Sequence, residues 1–239
     1  MVKEGKNMSS EEKFDAIVVG GGLAGSAAAL TMARAGLDVM MVERGKFCGS
    51  KNSSGGRLYG HSLEKLIPNF AAEAPIERKI TQERLSLMTE GGALSFQYGS
   101  DKLENLKYPS YSVLRSKFDK WLADKAEEAG VMLTEGFLVD KLVVEDGKVI
   151  GVMTGGEEFD ADVVILADGV NSLLAQQIGM KKELEQKDVA VGVKEVIELG
   201  EDVINERFGL SGNDGAAWMM AGDPTGGNLG GGFIYTNKD

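Results

Sequence analysis

The sequence predicts an α/β fold: a parallel sheet carrying a β-meander, interrupted by an antiparallel, β-rich second lobe. Three observations carry that expectation. Residues 14–42 read as strand, glycine turn, helix and strand. Residues 137–160 read as a meander turning at Glu145-Asp146-Gly147, because Asp-Gly tolerates the positive φ of a tight hairpin. Between these two parts the order changes: an antiparallel insertion precedes the next helix and strand.

In chain order, residues 1–13 are polar and charged and read as a flexible tail without the apolar run of a secretory signal. Phe14 to Val19 is a β-branched run suited to a strand buried on both faces. The alanine-rich stretch from Gly22 to Ala35 suits a helix packed closely on a sheet, ended by Gly36, and Leu37 to Val42 forms the next strand. His61 to Ile67 is a short helix stopped by Pro68. Glu83 to Tyr98 holds two strands around Glu90-Gly91-Gly92. Arg115 to Ala129 is a helix with Phe118, Leu122 and Ala126 on one face, and Val131 to Thr134 is a third buried strand. Glu158 to Asp160 completes the meander, and Ala161 to Leu166 runs into Ala167-Asp168-Gly169. Val189 to Leu199, Ala216 to Met220 and Leu229 to Tyr235 read as strands, with a helix near Asp202 to Phe208. These elements divide the chain into a nucleotide domain (14–75 and 108–187) and a β lobe (76–107 and 188–239).

A chain of 239 residues with 43% apolar content can bury a substantial core. Its 37 acidic against 26 basic side chains leave a formal charge of -11, which repels a polyphosphate backbone and argues against a nucleic-acid partner. The single cysteine, Cys48, can form neither an internal disulfide nor an iron-sulfur cluster. The composition reads as an intracellular, cytoplasmic protein whose membrane contact, if any, would be peripheral.

Gly20, Gly22 and Gly25 satisfy G-x-G-x-x-G between strand and helix, and Glu43 ends the second strand. In this Rossmann-like arrangement the first glycine permits the turn, the second admits a pyrophosphate, and the third allows helix and strand to touch. The helix N-terminus faces the phosphates, and the carboxylate can accept both ribose hydroxyls. NAD and FAD share this half, so the turn alone does not separate them. The insertion and meander downstream are the discriminating feature.

The segments "DAIVVGGGLAGSAAALTMARAGLDVMMVERG", "KNSSGGRLYGHSLEKLIP", "SYSVLRSKFDKWLADKAEEAG" and "VVILADGVNSLLAQQIGM" resemble the FixC-like electron-transfer-flavoprotein:quinone oxidoreductases. These belong to the wider geranylgeranyl-reductase and aromatic-hydroxylase group of FAD proteins. The resemblance implies that Gly20, Gly22, Leu23, Ala24 and Gly25 contact the FAD pyrophosphate, Glu43 the ribose and Arg44 the adenine side. It places Arg115 at the phosphate and ribityl region, Val139 at adenine through its backbone, and Ala167, Asp168 and Gly169 over the ADP moiety. Gly55, Gly56 and Arg57 would run beside the isoalloxazine, where missing Cβ atoms let backbone approach a flat ring.

The resemblance further implies a longer protein with a second glycine-aspartate motif and a helical C-terminal part, so the sequence ending at Asp239 reads as a fragment. Implied partners are electron-transfer flavoprotein subunits, a quinone and a separate small ferredoxin-like subunit carrying the cluster that one cysteine cannot. An NADPH-linked isoprenoid-lipid reductase, an aromatic hydroxylase and a non-catalytic ADP- or FAD-binding fragment are the alternatives. No side chain is assigned acid-base catalysis or metal binding: Cys48 reads as a packing residue and His61 as a capping or packing residue. Trp218, Met219, Met220 and Phe233 are expected in the core of the second lobe, with an apolar or quinone pocket as the other reading.

Overall fold

The computed structural model describes residues 13–100, 103, 106–226, 228 and 230–239. The expected tail therefore lies outside the described residues except for Lys13, as does Leu229. Two compact units emerge, the first holding residues up to Lys51 with Asp119–Val193, the second Asn52–Phe118 with Lys194–Asp239.

The first unit is built on β1 (Phe14–Val19), α1 (Leu23–Arg34) and β2 (Val39–Glu43), as the apolar periodicity requires. To these the chain adds β7 (Met132–Glu135), β8 (Val139–Glu145), β9 (Lys148–Thr154) and β10 (Glu157–Leu166). The six-stranded sheet runs β7-β2-β1-β10-β9-β8. β1 pairs in parallel with β2 and with the C-terminal half of β10, and β2 pairs in parallel with β7. Central β1 is therefore hydrogen-bonded along both edges, and Ile17 and Val18, which point to opposite faces, are both fully buried, as are Leu30, Met41 and Val39. Each such side chain stabilises the fold by roughly 1.5–3 kcal/mol through burial.

Two elements expected to be separate are one. Glu158 to Asp160 and Ala161 to Leu166 form continuous β10, whose first half pairs antiparallel with β9 and whose second half pairs with β1. Gly151 fixes this junction, since a Cβ there would meet the Phe159 carbonyl at 2.2 Å. The hairpin between β8 and β9 turns with positive φ at both Asp146 (48°) and Gly147 (77°), as its Asp-Gly pair requires.

The second unit contains β3 (Gly55–Tyr59), α2 (Gly60–Leu66), β4 (Ile76–Thr89), β5 (Gly92–Gly99) and β6 (Ser110–Leu114). α3 (Arg115–Glu128) follows β6, and its residues from Asp119 onward group with the first unit together with α4 (Leu173–Gln177). The chain returns to the second unit with α5 (Glu201–Phe208), β11 (Asp214–Gly222) and β12 (Gly231–Tyr235). Its sheet runs β12-β11-β4-β6-β3, with β5 on the free part of long β4. Pairing is antiparallel throughout except between β4 and β11, which run parallel. β3 and β6 belong to this sheet, so the boundaries near 52 and 119 differ from those read at 76 and 108.

One expected strand is absent. Residues 189–199 have no regular structure, and Val191 and Val193 are 96% and 95% exposed. Their alternation fits a strand, but a strand needs a neighbouring edge to satisfy its amides, and no described strand pairs with this run.

Arg78 organises the second unit. It is 1% exposed, and its guanidinium donates to Asn205 Oδ1 on α5 (2.6 Å), to the Asp214 carbonyl (3.0 Å) and to the Asn237 carbonyl (2.6 Å). Further contacts reach the carbonyls of Gly212 and Lys238.

Candidate functional site

The C-terminal ends of β1, β2, β7 and β10 lie along one edge of the first sheet, with the glycine turn at the end of β1 where the chain order reverses. Gly20 adopts φ +106°, and its N–H donates to the Val42 carbonyl at 2.8 Å. The Ala167 N–H donates to the Val19 carbonyl at 2.8 Å, so the Ala167-Asp168-Gly169 loop is tied to the same strand end. The three glycines have separable reasons. A Cβ on Gly20 would lie 2.4 Å from the Ala167 oxygen, and one on Gly25 would lie 1.8 Å from the Gly20 oxygen, whereas one on Gly22 would meet nothing within 4 Å. The first and third glycines allow close packing; the second leaves space above the turn.

That space is where a pyrophosphate fits. Gly22 is the N-cap of α1 and supplies no side-chain cap, so no side chain satisfies the first-turn amides around Leu23 and Ala24. Backbone N–H groups and the positive end of a 12-residue helix then face outward together, the arrangement that holds phosphate oxygens.

Glu43 does more than the sequence suggested. Its Oε2 accepts the Gly21 N–H at 2.9 Å and its Oε1 the Gly45 N–H at 2.6 Å, so the carboxylate fixes both the turn and the following loop. An ionised carboxylate offers about four acceptor positions, so roughly two remain for ribose hydroxyls. Arg44 beside it is exposed. The Phe137 N–H donates to the Glu43 carbonyl, which ties the segment leading to buried Val139 to this edge. Asp168 Oδ1 accepts the Ser172 hydroxyl at 3.0 Å, with Gly169 at φ +84° shaping the loop.

Sequence reading missed Glu135. It ends β7 in register with Glu43, and its Oε1 accepts the Cys48 N–H at 2.7 Å, closing the 44–50 loop from the far side. The available signal was an acid-glycine pair ending this strand, as an acid ends β2. Cys48 is fully buried, and burial followed by the Glu135 hydrogen bond raises its thiol pKa strongly. The neutral thiol is a poor nucleophile. Iodoacetamide at mildly alkaline pH is therefore expected to label Cys48 only at the rate of unfolding, and rapid labelling of the folded chain would contradict this burial.

The remaining expected site residues lie in the second unit. Gly55, Gly56 and Arg57 are on β3, and the Arg115 N–H donates to the Ser54 carbonyl at 3.1 Å. A Cβ on Gly55 would strike the Val113 carbonyl at 2.3 Å, while Gly56 has nothing within 4 Å and presents open backbone. Arg57 is held by Glu83 Oε1 (2.6 Å) and Ser110 Oγ (3.0 Å), with its guanidinium 4.7 Å above the Tyr59 ring. Burial, then the neighbouring Tyr59, pushes the Tyr235 phenol pKa up, opposed by Arg57. His61 is exposed and meets the Tyr108 ring edge-on at 5.1 Å. Met219 and Phe233 are 61% and 52% exposed, which corrects their placement in the core.

FixC from Salmonella typhi is 58% identical over 96% of this chain and 54% of its own length. "Probable electron transfer flavoprotein-quinone oxidoreductase YdiS" from Escherichia coli (strain K12) is 53% identical over the same shares. The chain thus spans about half the length of the curated relatives it matches. A geranylgeranyl bacteriochlorophyll reductase-like structure from Thermoplasma acidophilum superposes with a TM-score of 0.67 at 23% identity, over 95% of this chain and 57% of that one, and shows the shared fold. The model of the FAD dependent oxidoreductase family matches residues 15–191, which contain the glycine turn, Glu43 and the Ala167-Asp168-Gly169 loop, and the chain belongs to that family.

Proposed function

We propose that the whole protein is an FAD-dependent oxidoreductase that relays electrons from an electron-transfer flavoprotein towards a quinone. The observation that carries this reading is the open, uncapped turn at Gly22, walled by Ala167 and fixed by Glu43. Bound FAD would supply the redox chemistry, since no described side chain is needed to do so. The protein's own residues bind and orient. First-turn amides at Leu23, Ala24 and Gly25 would hold the pyrophosphate, Glu43 the ribose, Arg44 the adenine side, and Val139 adenine through its backbone. Ala167, Asp168 and Gly169 would close over the ADP half, Arg115 would reach the phosphate and ribityl region, and Gly55, Gly56 and Arg57 would flank the isoalloxazine. The name of the 53% identical relative YdiS, a probable electron transfer flavoprotein-quinone oxidoreductase, favours the quinone relay over an isoprenoid-lipid reductase, a hydroxylase or a bare nucleotide-binding fragment.

A small ferredoxin-like subunit and a place at the cytoplasmic face of a membrane complete the proposal. No helix among the described residues is long and apolar enough to cross a membrane. Anaerobic mixing tests the relay: reduced electron-transfer flavoprotein is expected to bleach the flavin within seconds, and added quinone to restore it. Bleaching by NADPH alone, with no response to electron-transfer flavoprotein, would overturn the assignment.

A further inference from the structure

Arg57 is anchored beyond what its strand requires. Backbone pairing already fixes β3 on β6, yet the Arg57 side chain is tied from three directions. Its Nε donates to Ser110 Oγ on β6 at 3.0 Å, and its Nη2 donates to Glu83 Oε1 on β4 at 2.6 Å. The third tie comes from its own strand: Tyr59, two residues on and so on the same face, lies with its ring 4.7 Å from the guanidinium carbon. Nη1 keeps no acceptor among the described residues.

The two charges of this pair are not equally wet. The Arg57 side chain is 13% exposed and that of Glu83 42% exposed. Water and salt therefore screen the carboxylate more than the guanidinium, and the pair keeps a net positive field towards its surroundings. Tyr235 on β12 feels that field: Arg57 opposes the rise of its phenol pKa, which means that it favours an anion nearby. A flavin makes the same demand. Two-electron reduction of a neutral isoalloxazine takes up two electrons and one proton, so the reduced ring carries one net negative charge. A fixed cation beside the ring stabilises the reduced form over the oxidised one, and a carboxylate paired with that cation subtracts from the effect.

We propose that the Arg57–Glu83 pair sets the reduction potential of the bound flavin, with Arg57 raising it and Glu83 restraining it. The proposal rests on the reading that Gly55, Gly56 and Arg57 flank the isoalloxazine, and it gives that stretch an electrostatic task. Glu83 is a positioning residue: it holds Arg57 through Nη2 and partly cancels its charge.

The test is anaerobic titration of the full-length, FAD-loaded protein with dithionite, flavin absorbance being read against a reference dye of known potential. Arg57→Gln is expected to raise the ratio of oxidised to reduced flavin at a fixed potential at least about tenfold, a midpoint about 30 mV lower for a two-electron couple. Glu83→Gln keeps an acceptor for Nη2 but loses the charge, so it shifts the ratio the opposite way by at least about threefold. Arg57→Lys keeps the charge without the fork and recovers more than half of the Arg57→Gln shift. A structural role alone would lower melting temperatures without this pattern of opposite signs. If Arg57→Gln does not retain FAD, an upward midpoint in Glu83→Gln still supports the proposal. A Glu83→Gln midpoint that is unmoved or lower overturns it, and a shift in Arg57→Gln then leaves the ring beside Arg57. Parent midpoints in all three variants, with FAD bound as in the parent, overturn the proposal together with that placement of the ring. Bleaching by reduced electron-transfer flavoprotein tests the relay separately, since its failure would leave dithionite midpoints untouched.

Discussion

Gly25→Ala is expected to lower stability by about 3 kcal/mol and FAD affinity more than about 100-fold. The added methyl would sit 1.8 Å from the Gly20 carbonyl oxygen and 3.2 Å from Val18 Cγ1. Neither obstacle is the far end of a flexible side chain: one is backbone, the other the fully buried centre of β1. The helix must therefore withdraw from the strand, which opens the turn and splays the amides that would hold phosphate. Gly22→Ala separates fold from ligand, because its methyl meets nothing within 4 Å and φ is an ordinary -79°. That variant should lose less than about 1 kcal/mol as a helix cap. It should still weaken FAD at least about tenfold, since the methyl fills the space over the turn. Thermal melts of the apo protein and FAD titrations check both, and a Gly22→Ala protein that binds FAD as the parent does would remove the turn from the site.

Arg78→Ala should cost about 4 kcal/mol, among the largest losses expected from a single substitution in the second unit. The change empties a large buried volume and strips the donor from Asn205 and the carbonyls of Gly212, Asp214, Asn237 and Lys238. Those acceptors come from α5, the turn into β11 with its first residue, and the stretch after β12, so three segments lose their common anchor. Arg78→Lys is expected to recover less than half, because one ammonium cannot span the spread that a planar fork reaches. Urea midpoints read the ranking, and an Arg78→Ala midpoint corresponding to less than about 1 kcal/mol would show that the network adds little.

Much of the first unit is legible in the sequence because its signals are local. A buried run, three glycines in register, an alanine helix and a terminal acid specify β1, α1, β2 and the turn without reference to distant residues. Ladder partners are not local, and the misreadings cluster there. β3 and β6 are short and lie between turn-forming stretches, so only their pairing with each other and with β4 reveals them. Residues 189–199 alternate as a strand should, yet no described edge receives them. Met219 and Phe233 look like core by type, and only the cross-strand register shows that they share an open face. Glu43 was identified from its position, but its grip on the Gly21 and Gly45 amides is a feature of folded geometry that spacing cannot encode.

The shared use of β10 sets an order of assembly on the ribosome. β1 emerges before β10, together with α1 and β2, yet its other flank is supplied by residues 161–166, separated from Phe14 by most of the first unit and by residues 52–118 of the second. Until Ala167 leaves the exit tunnel, the Gly20 turn lacks a wall and one edge of β1 carries unpaired amides. The nascent chain must hold an apolar central strand half-covered while residues 52–118 of the second unit are being made, a prolonged opportunity for mispairing or chaperone capture. FAD arriving before that moment would find helix amides and Glu43 but no opposite bank, so cofactor retention should begin only with the synthesis of the Ala167-Asp168-Gly169 loop.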